Sequence, residues 1–145
     1  MTQENKELLL RDLCARLPYG VKCAYFDIKG EIKVGELFTV WCNEKRVFID
    51  KLSIDYDGCD CIGVIPYLFP LSSITKEQLF EVQEILGKNE IKIDDGFLRI
   101  VDSDRNVITY LEILAVLEWF YKNHFDINDL IPKGLARDAT GLNVY

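Results

Sequence analysis

Near its start the chain carries apolar residues at a helical period. Leu10, Leu13, Cys14 and Leu17 stand at i, i+3, i+4 and i+7, which predicts one apolar stripe on a helix from about Glu4 to Arg16. "LPYG" ends that helix, because Pro18 has no amide donor and Gly20 suits a turn. From Val21 to Phe69 the pattern favours strands. "VKCAYFDI" and "VGELFTVWC" are rich in β-branched and aromatic residues, with a turn expected at Lys29-Gly30 and the next at Asn43-Glu44-Lys45. Both phases of the first strand are apolar: Val21, Cys23 and Tyr25 alternate with Ala24, Phe26 and Ile28, so both faces of the sheet are expected to be partly covered. Val47 and Ile49 are odd-numbered, whereas Leu52, Ile54 and Tyr56 are even-numbered. A strand has a side-chain period of two, so this change of phase requires a bulge or turn near Asp50-Lys51. "CIGVIPYLF" reads as a further strand, with Pro66 placing it at an edge or ending it.

The period lengthens again after Phe69. Thr75 to Gln78 and Thr109 to Glu112 each have the form of a capping box: a hydroxyl accepts from a free amide while a polar side chain reaches back. The first opens a helix with Leu79, Val82 and Leu86 on one face and Gly87 available as its left-handed cap. The second opens a helix to about Asn123 that is apolar on most sides and so is expected to pack deeply. Between them "IKIDDGFLRI" predicts two short strands around Asp94-Asp95-Gly96, and "DINDLI" predicts one further helical turn. The expected core includes Leu10, Leu13, Leu79, Val82, Leu111, Leu114 and Leu117. These elements define an α+β fold in a single domain, residues 1–145. An N-terminal helix precedes an antiparallel meander of about four or more strands, and two longer helices in the C-terminal half cover one sheet face.

Composition narrows the class. A chain of 145 residues with 49% hydrophobic and 28% charged residues can bury a core without staples. A net charge of −7 disfavours general binding to a phosphate backbone, which needs a basic footprint. Cations accompany most acidic runs, as in "KGEIKVGE" and "NEKRVFIDK", so the surface is a mixed solvated one rather than a nucleic-acid mimic. No apolar run reaches the ~18 residues of a membrane span, and "MTQENKELLLRDL" has no signal-peptide core. The expectation is a cytoplasmic acidic protein whose five cysteines stay reduced.

The densest group of ligand-type residues is "DYDGCDCIG", Asp55 to Gly63. Cys59 and Cys61, two apart on a strand, would point to the same face. Structural zinc asks for knuckle spacing, which Cys14, Cys23, Cys42 and the single His124 do not supply, and the simpler reading is that free cysteine packs as a small hydrophobe. A redox pair is disfavoured, since neighbouring carboxylates raise a thiol pKa. "DSDRNVITYLE" places Asp102, Asp104 and Asn106 at alternating positions before Glu112, like a calcium loop, but lacks the glycine that makes its sharp turn. The simpler role for Glu112 is in its capping box. His124 and Asp126 form a conceivable oriented pair, yet a lone histidine at a helix C-terminus more commonly serves the last carbonyls. No phosphate-binding or nucleophile motif is present, and no cofactor is expected.

Three segments, "LLLRDLCARLPYGVKC", "YLFPLSSIT" and "WFYKNHFDINDLIPKGLA", together resemble a short uncharacterised protein family of gut anaerobic bacteria, often encoded in prophage-like or other mobile gene clusters. The resemblance spans start, middle and end of the chain, implies a small accessory protein and carries no catalytic residue. It departs at "DINDLIPKG", where a more basic or aromatic loop is expected. The leading expectation is therefore a non-catalytic module whose partner is a protein. A metal-binding regulatory protein using Asp55–Cys61 or Asp102–Glu112 is the alternative, and an enzyme with a site assembled from scattered residues is the third. Phe125, Ile127, Leu130 and Ile131 are the candidate partner contact; their competing role is docking on their own chain.

Overall fold

The computed structural model describes residues 1–27, 29–41, 46–50, 63–87, 89–94, 97–101 and 108–145. Helix α1 (Gln3–Arg16) is followed by strands β1 (Lys22–Phe26), β2 (Ile32–Trp41), β3 (Arg46–Ile49) and β4 (Ile65–Leu68). Helix α2 (Lys76–Leu86), strands β5 (Glu90–Asp94) and β6 (Phe97–Val101), helix α3 (Tyr110–Lys122) and the short strand β7 (Arg137–Asp138) complete the order. The fold is α+β. The described residues form two compact units: Met1–Leu68 together with Asn128–Tyr145, and Phe69–Ile127.

In the first unit the strands lie in the order β3-β2-β1-β4-β7, antiparallel except for the β4–β7 pair. The turn between β1 and β2 forms as expected. The Asp27 carboxylate accepts from the amides of Lys29 and Glu31, both at 2.9 Å, and Gly30 takes the positive φ of 78° that the turn requires. The phase change expected near Asp50-Lys51 turns on Leu52, Ile54 and Tyr56, which lie outside the described residues; what is described is the end of β3. Asp50 has φ 56°, its amide donates to the Glu36 carbonyl at 2.7 Å, and its carboxylate accepts from the Glu36 amide at 2.8 Å, so one residue closes the strand end from both sides. A bulge between Leu37 and Thr39 shifts the β2–β3 register.

The inner face of this sheet, with Cys23, Leu37, Val47, Ile49 and Leu68, packs against Leu9 and Leu13 of α1 and against Leu130, Leu135 and Ala136. The buried positions of α1 are Leu9, Asp12, Leu13 and Arg16, again at i, i+3, i+4 and i+7 but one residue back from the expected stripe. Leu10 and Leu17 border it, partly buried. The pattern misplaced the stripe because it assigned charged residues to solvent, and two of the four buried positions are a mutually paired aspartate and arginine. Pro66 stands in β4, between β1 and β7, rather than on the sheet's edge; pairing with β7 begins one residue later, at Tyr67.

The second unit has its own core of Leu71, Val82, Leu86, Ile91, Val116, Phe120 and Phe125. Both capping boxes form, at Thr75–Gln78 and Thr109–Glu112, and β5 pairs with β6 as the expected hairpin. Gly87 ends α2 with φ 60° and ψ −104°, a positive φ outside the left-handed helical region. The Gln83 side chain links α2 to that hairpin: its amide donates to the Asn89 carbonyl while its oxygen accepts from the Ile91 amide at 3.2 Å, as a neighbouring strand would. Trp119 stacks on Phe125 with centroids 5.8 Å apart, and Phe120 meets both edge-on.

Three expectations need correction. Leu111 and Leu114 are exposed, at 75% and 42%, and α3 buries Val116 and Phe120 instead. A helix that is apolar on most sides gives no clear stripe from which to choose its buried side. The helix supplying the core of the five-stranded sheet is α1, whereas α2 and α3 pack with the β5–β6 hairpin. "DINDLI" forms a run of turns rather than helix, since Asp129 has φ 56°.

Candidate interaction surface

In an antiparallel pair, directly opposed residues share a face. The register Lys22↔Glu36, Ala24↔Val34 and Phe26↔Ile32 therefore sets these six side chains on the sheet's outer face, opposite the one covered by α1. An antiparallel sheet with one covered face is expected to be polar on the other. Here the outer face is apolar: Phe26, Ile32, Val34 and, at the bulge, Phe38 are exposed at 49%, 51%, 49% and 51%. Half-buried Phe48 on β3 and Ile65 on β4 widen it to four strands, because Thr39 opposes Phe48 and Ala24 opposes Ile65. About half of four large apolar side chains amounts to roughly 300–400 Å², the size of patch that on a folded chain commonly marks an interaction site.

Two of the charges on this face offset each other. Lys22 Nζ lies 2.9 Å from Glu36 Oε2, and Asp50 at the margin is held by the Glu36 amide. Lys22, Glu36, Leu37, Phe38 and Asp50 line a shallow open depression there.

Behind the sheet lies a buried polar cluster. Arg16 Nε is 2.6 Å from Asp12 Oδ2, with both side chains fully buried, and Asn128 Nδ2 donates to Asp12 Oδ1 at 2.8 Å. Burial pushes the Cys23 thiol well above its ordinary range; the Arg16 guanidinium opposes this and the Asp12 carboxylate adds to it. The Tyr145 hydroxyl donates to the Tyr67 carbonyl at 2.6 Å and accepts from the Lys22 amide at 3.3 Å, and burial pushes it up as well. A neutral buried thiol and phenol with raised pKa values are poor nucleophiles and bases, so this cluster is a structural one.

Asp55–Cys61, including Cys59 and Cys61, and Asp102, Asp104 and Asn106 lie outside the described residues. The Glu112 carboxylate accepts from the Thr109 amide and hydroxyl, both at 2.7 Å, and these bonds hold it below the usual carboxylate range. Among the described residues, no three or more His, Cys, Asp or Glu side chains come together to hold a metal ion. His124 follows the end of α3 with φ 59°; its amide donates to the Tyr121 carbonyl and its carbonyl accepts from the Phe69 amide. Of the four candidate contact residues, Phe125 and Leu130 are buried, at 2% and 0%, in the cores of the second and first units; Ile127 and Ile131 pack partly buried against the same cores. Phe125 and Leu130 therefore dock on their own chain, and the outer sheet face exposes more apolar surface than this segment does. The signal for it was the two apolar phases of the first strand, only one of which α1 covers.

No protein family, curated protein or solved structure matches the chain. Among the described residues no helix is long and apolar enough to cross a membrane.

Proposed function

We propose that this protein is a non-catalytic interaction module that binds a protein partner through the outer face of its five-stranded sheet. The observation that carries the reading is the exposure of Phe26, Ile32, Val34 and Phe38, each about half, on the side of the sheet where polar residues are expected. Keeping four such side chains in water lowers solubility with no gain to the fold of the isolated chain. Covering them restores the hydrophobic stabilisation, at about 25 cal/mol per Å². An accessory role of this kind fits the resemblance to proteins of mobile gene clusters. Of the residues of the metal-binding alternative only Glu112 is described, and its carboxylate is engaged by Thr109 in the capping box.

The test is Val34→Glu and Phe38→Glu on the whole chain. Both positions face solvent, so the fold should survive with its melting temperature nearly unchanged, while association measured by pull-down or analytical ultracentrifugation is lost. Retained association with an intact fold would exclude this face.

A further inference from the structure

We propose that the occupant of the outer sheet face is a second copy of this chain, an inference that rests on the interaction reading and names its partner. Charge comes first. The chain carries a net −7, so two copies repel at long range and can associate only where the local charge is close to balanced. The outer face is such a place, because its Lys22 and Glu36 already neutralise each other at 2.9 Å. A basic partner would be steered to surfaces with unpaired carboxylates, and this face offers little to steer it.

Shape and area agree. A two-fold interface joins a surface to itself, so it must be self-complementary. An apolar face carrying one ion pair meets that condition, since the lysine of one copy can approach the glutamate of the other. Two such sheets stack face to face about 10 Å apart with their strands nearly aligned. A standard interface covers about 800 Å² per partner, somewhat over half of it apolar. The exposed parts of Phe26, Ile32, Val34 and Phe38, with Phe48 and Ile65 beside them, supply an apolar area of that order.

Sedimentation of the whole chain at micromolar concentration should give twice the 16.8 kDa chain mass. Val34→Glu and Phe26→Glu should weaken that dimer at least a hundredfold while the far-ultraviolet dichroism stays unchanged. Should either variant fail to fold, carbene footprinting of the wild-type chain across a dilution series decides the matter. Labelling of residues 32–38 should rise as the dimer dissociates, and concentration-independent labelling overturns the proposal. A dimer untouched by both folded variants also overturns it. A wild-type monomer whose outer face labels freely refutes self-association and leaves the interaction reading standing; a monomer whose outer face resists labelling refutes both.

Discussion

Asp12 and Arg16, one turn apart on α1, form an ion pair 2.6 Å long whose two side chains are wholly removed from solvent. Asn128 joins the same carboxylate and so ties the C-terminal segment of the first unit to its N-terminal helix. Removing two charges from water is expensive, and the pair recovers this only while both members are present. Asp12→Ala or Arg16→Met removes one member of the pair while the other's charge stays in the interior, and should cost about 3–5 kcal/mol in urea denaturation. Asp12→Leu combined with Arg16→Met should recover most of that loss, since an apolar pair carries no desolvation penalty. Equal losses in the single and double variants would show that the pair itself is not the source.

Tyr145 acts on the sheet with a single atom. Pairing of β1 with β4 at Cys23↔Pro66 and Ala24↔Ile65 places Lys22 opposite Tyr67 as the next rung, and there the Tyr145 hydroxyl stands between the Lys22 amide and the Tyr67 carbonyl. Tyr145→Phe keeps the ring and removes the bridge. The expected cost is about 1–3 kcal/mol, with faster hydrogen exchange at the Lys22 amide. Unchanged exchange at Lys22 would show that the bridge does not hold this end of the sheet.

Cys23 makes the stability of the protein sensitive to alkali. Its thiol has a raised pKa in the folded chain because burial disfavours the thiolate, whereas in the unfolded chain it ionises near its ordinary value of 9.0. A raised folded pKa contributes stability that is fully present below the unfolded value and is lost as pH rises past it. Above pH 9 the unfolded chain alone releases this proton, so stability should fall by up to about 1.4 kcal/mol per pH unit from this group. Tyr145 adds a similar loss above its ordinary value of 10.0. Denaturation midpoints measured from pH 8 to 11 should therefore decline, less steeply in Cys23→Ala. An identical slope in that variant would assign the loss to other groups.

Helix α3 shows where the sequence was readable and where it was not. Its start and end followed from Thr109, Glu112 and Asn123, because caps are local and satisfy amides and carbonyls within one turn. Its buried side did not follow, because apolar residues surround it and only tertiary contacts choose Val116 and Phe120 over Leu111 and Leu114. The strands and the β1–β2 turn were legible for the same local reasons. The β3-β2-β1 part of the sheet was legible as the expected meander, but the placing of β4 beside β1 and of β7 beside β4 was not, since those pairings join residues distant in sequence. The outer sheet face was half legible: the apolar phase of Ala24, Phe26 and Ile28 stood in the sequence, but which phase α1 would cover did not. Leu114→Ala should accordingly change stability by less than about 1 kcal/mol, against about 3–5 kcal/mol for Phe120→Ala. Comparable losses in the two variants would return Leu114 to the core.

Gly35 gives the last prediction. It lies on the inner face opposite Cys23, and a Cβ at this position would run into the Asp50 carboxylate and the Ile49 methyl branch. The two obstacles differ in kind. The Asp50 carboxylate is the end of a side chain and can swing aside, at the loss of its 2.8 Å bond from the Glu36 amide. Ile49 cannot give way in the same manner, because a β-branched side chain in a paired strand has little rotamer freedom and this one is 6% exposed against the core. Gly35→Ala should therefore destabilise the protein by about 1–3 kcal/mol through overpacking. Placed in an Asp50→Ala background it should cost less, but not vanish, since the Ile49 contact remains. A double-mutant cycle in chemical denaturation measures the difference directly. Full recovery in the Asp50→Ala background would make the carboxylate the sole obstacle, and no coupling at all would show that Asp50 does not occupy the space above Gly35.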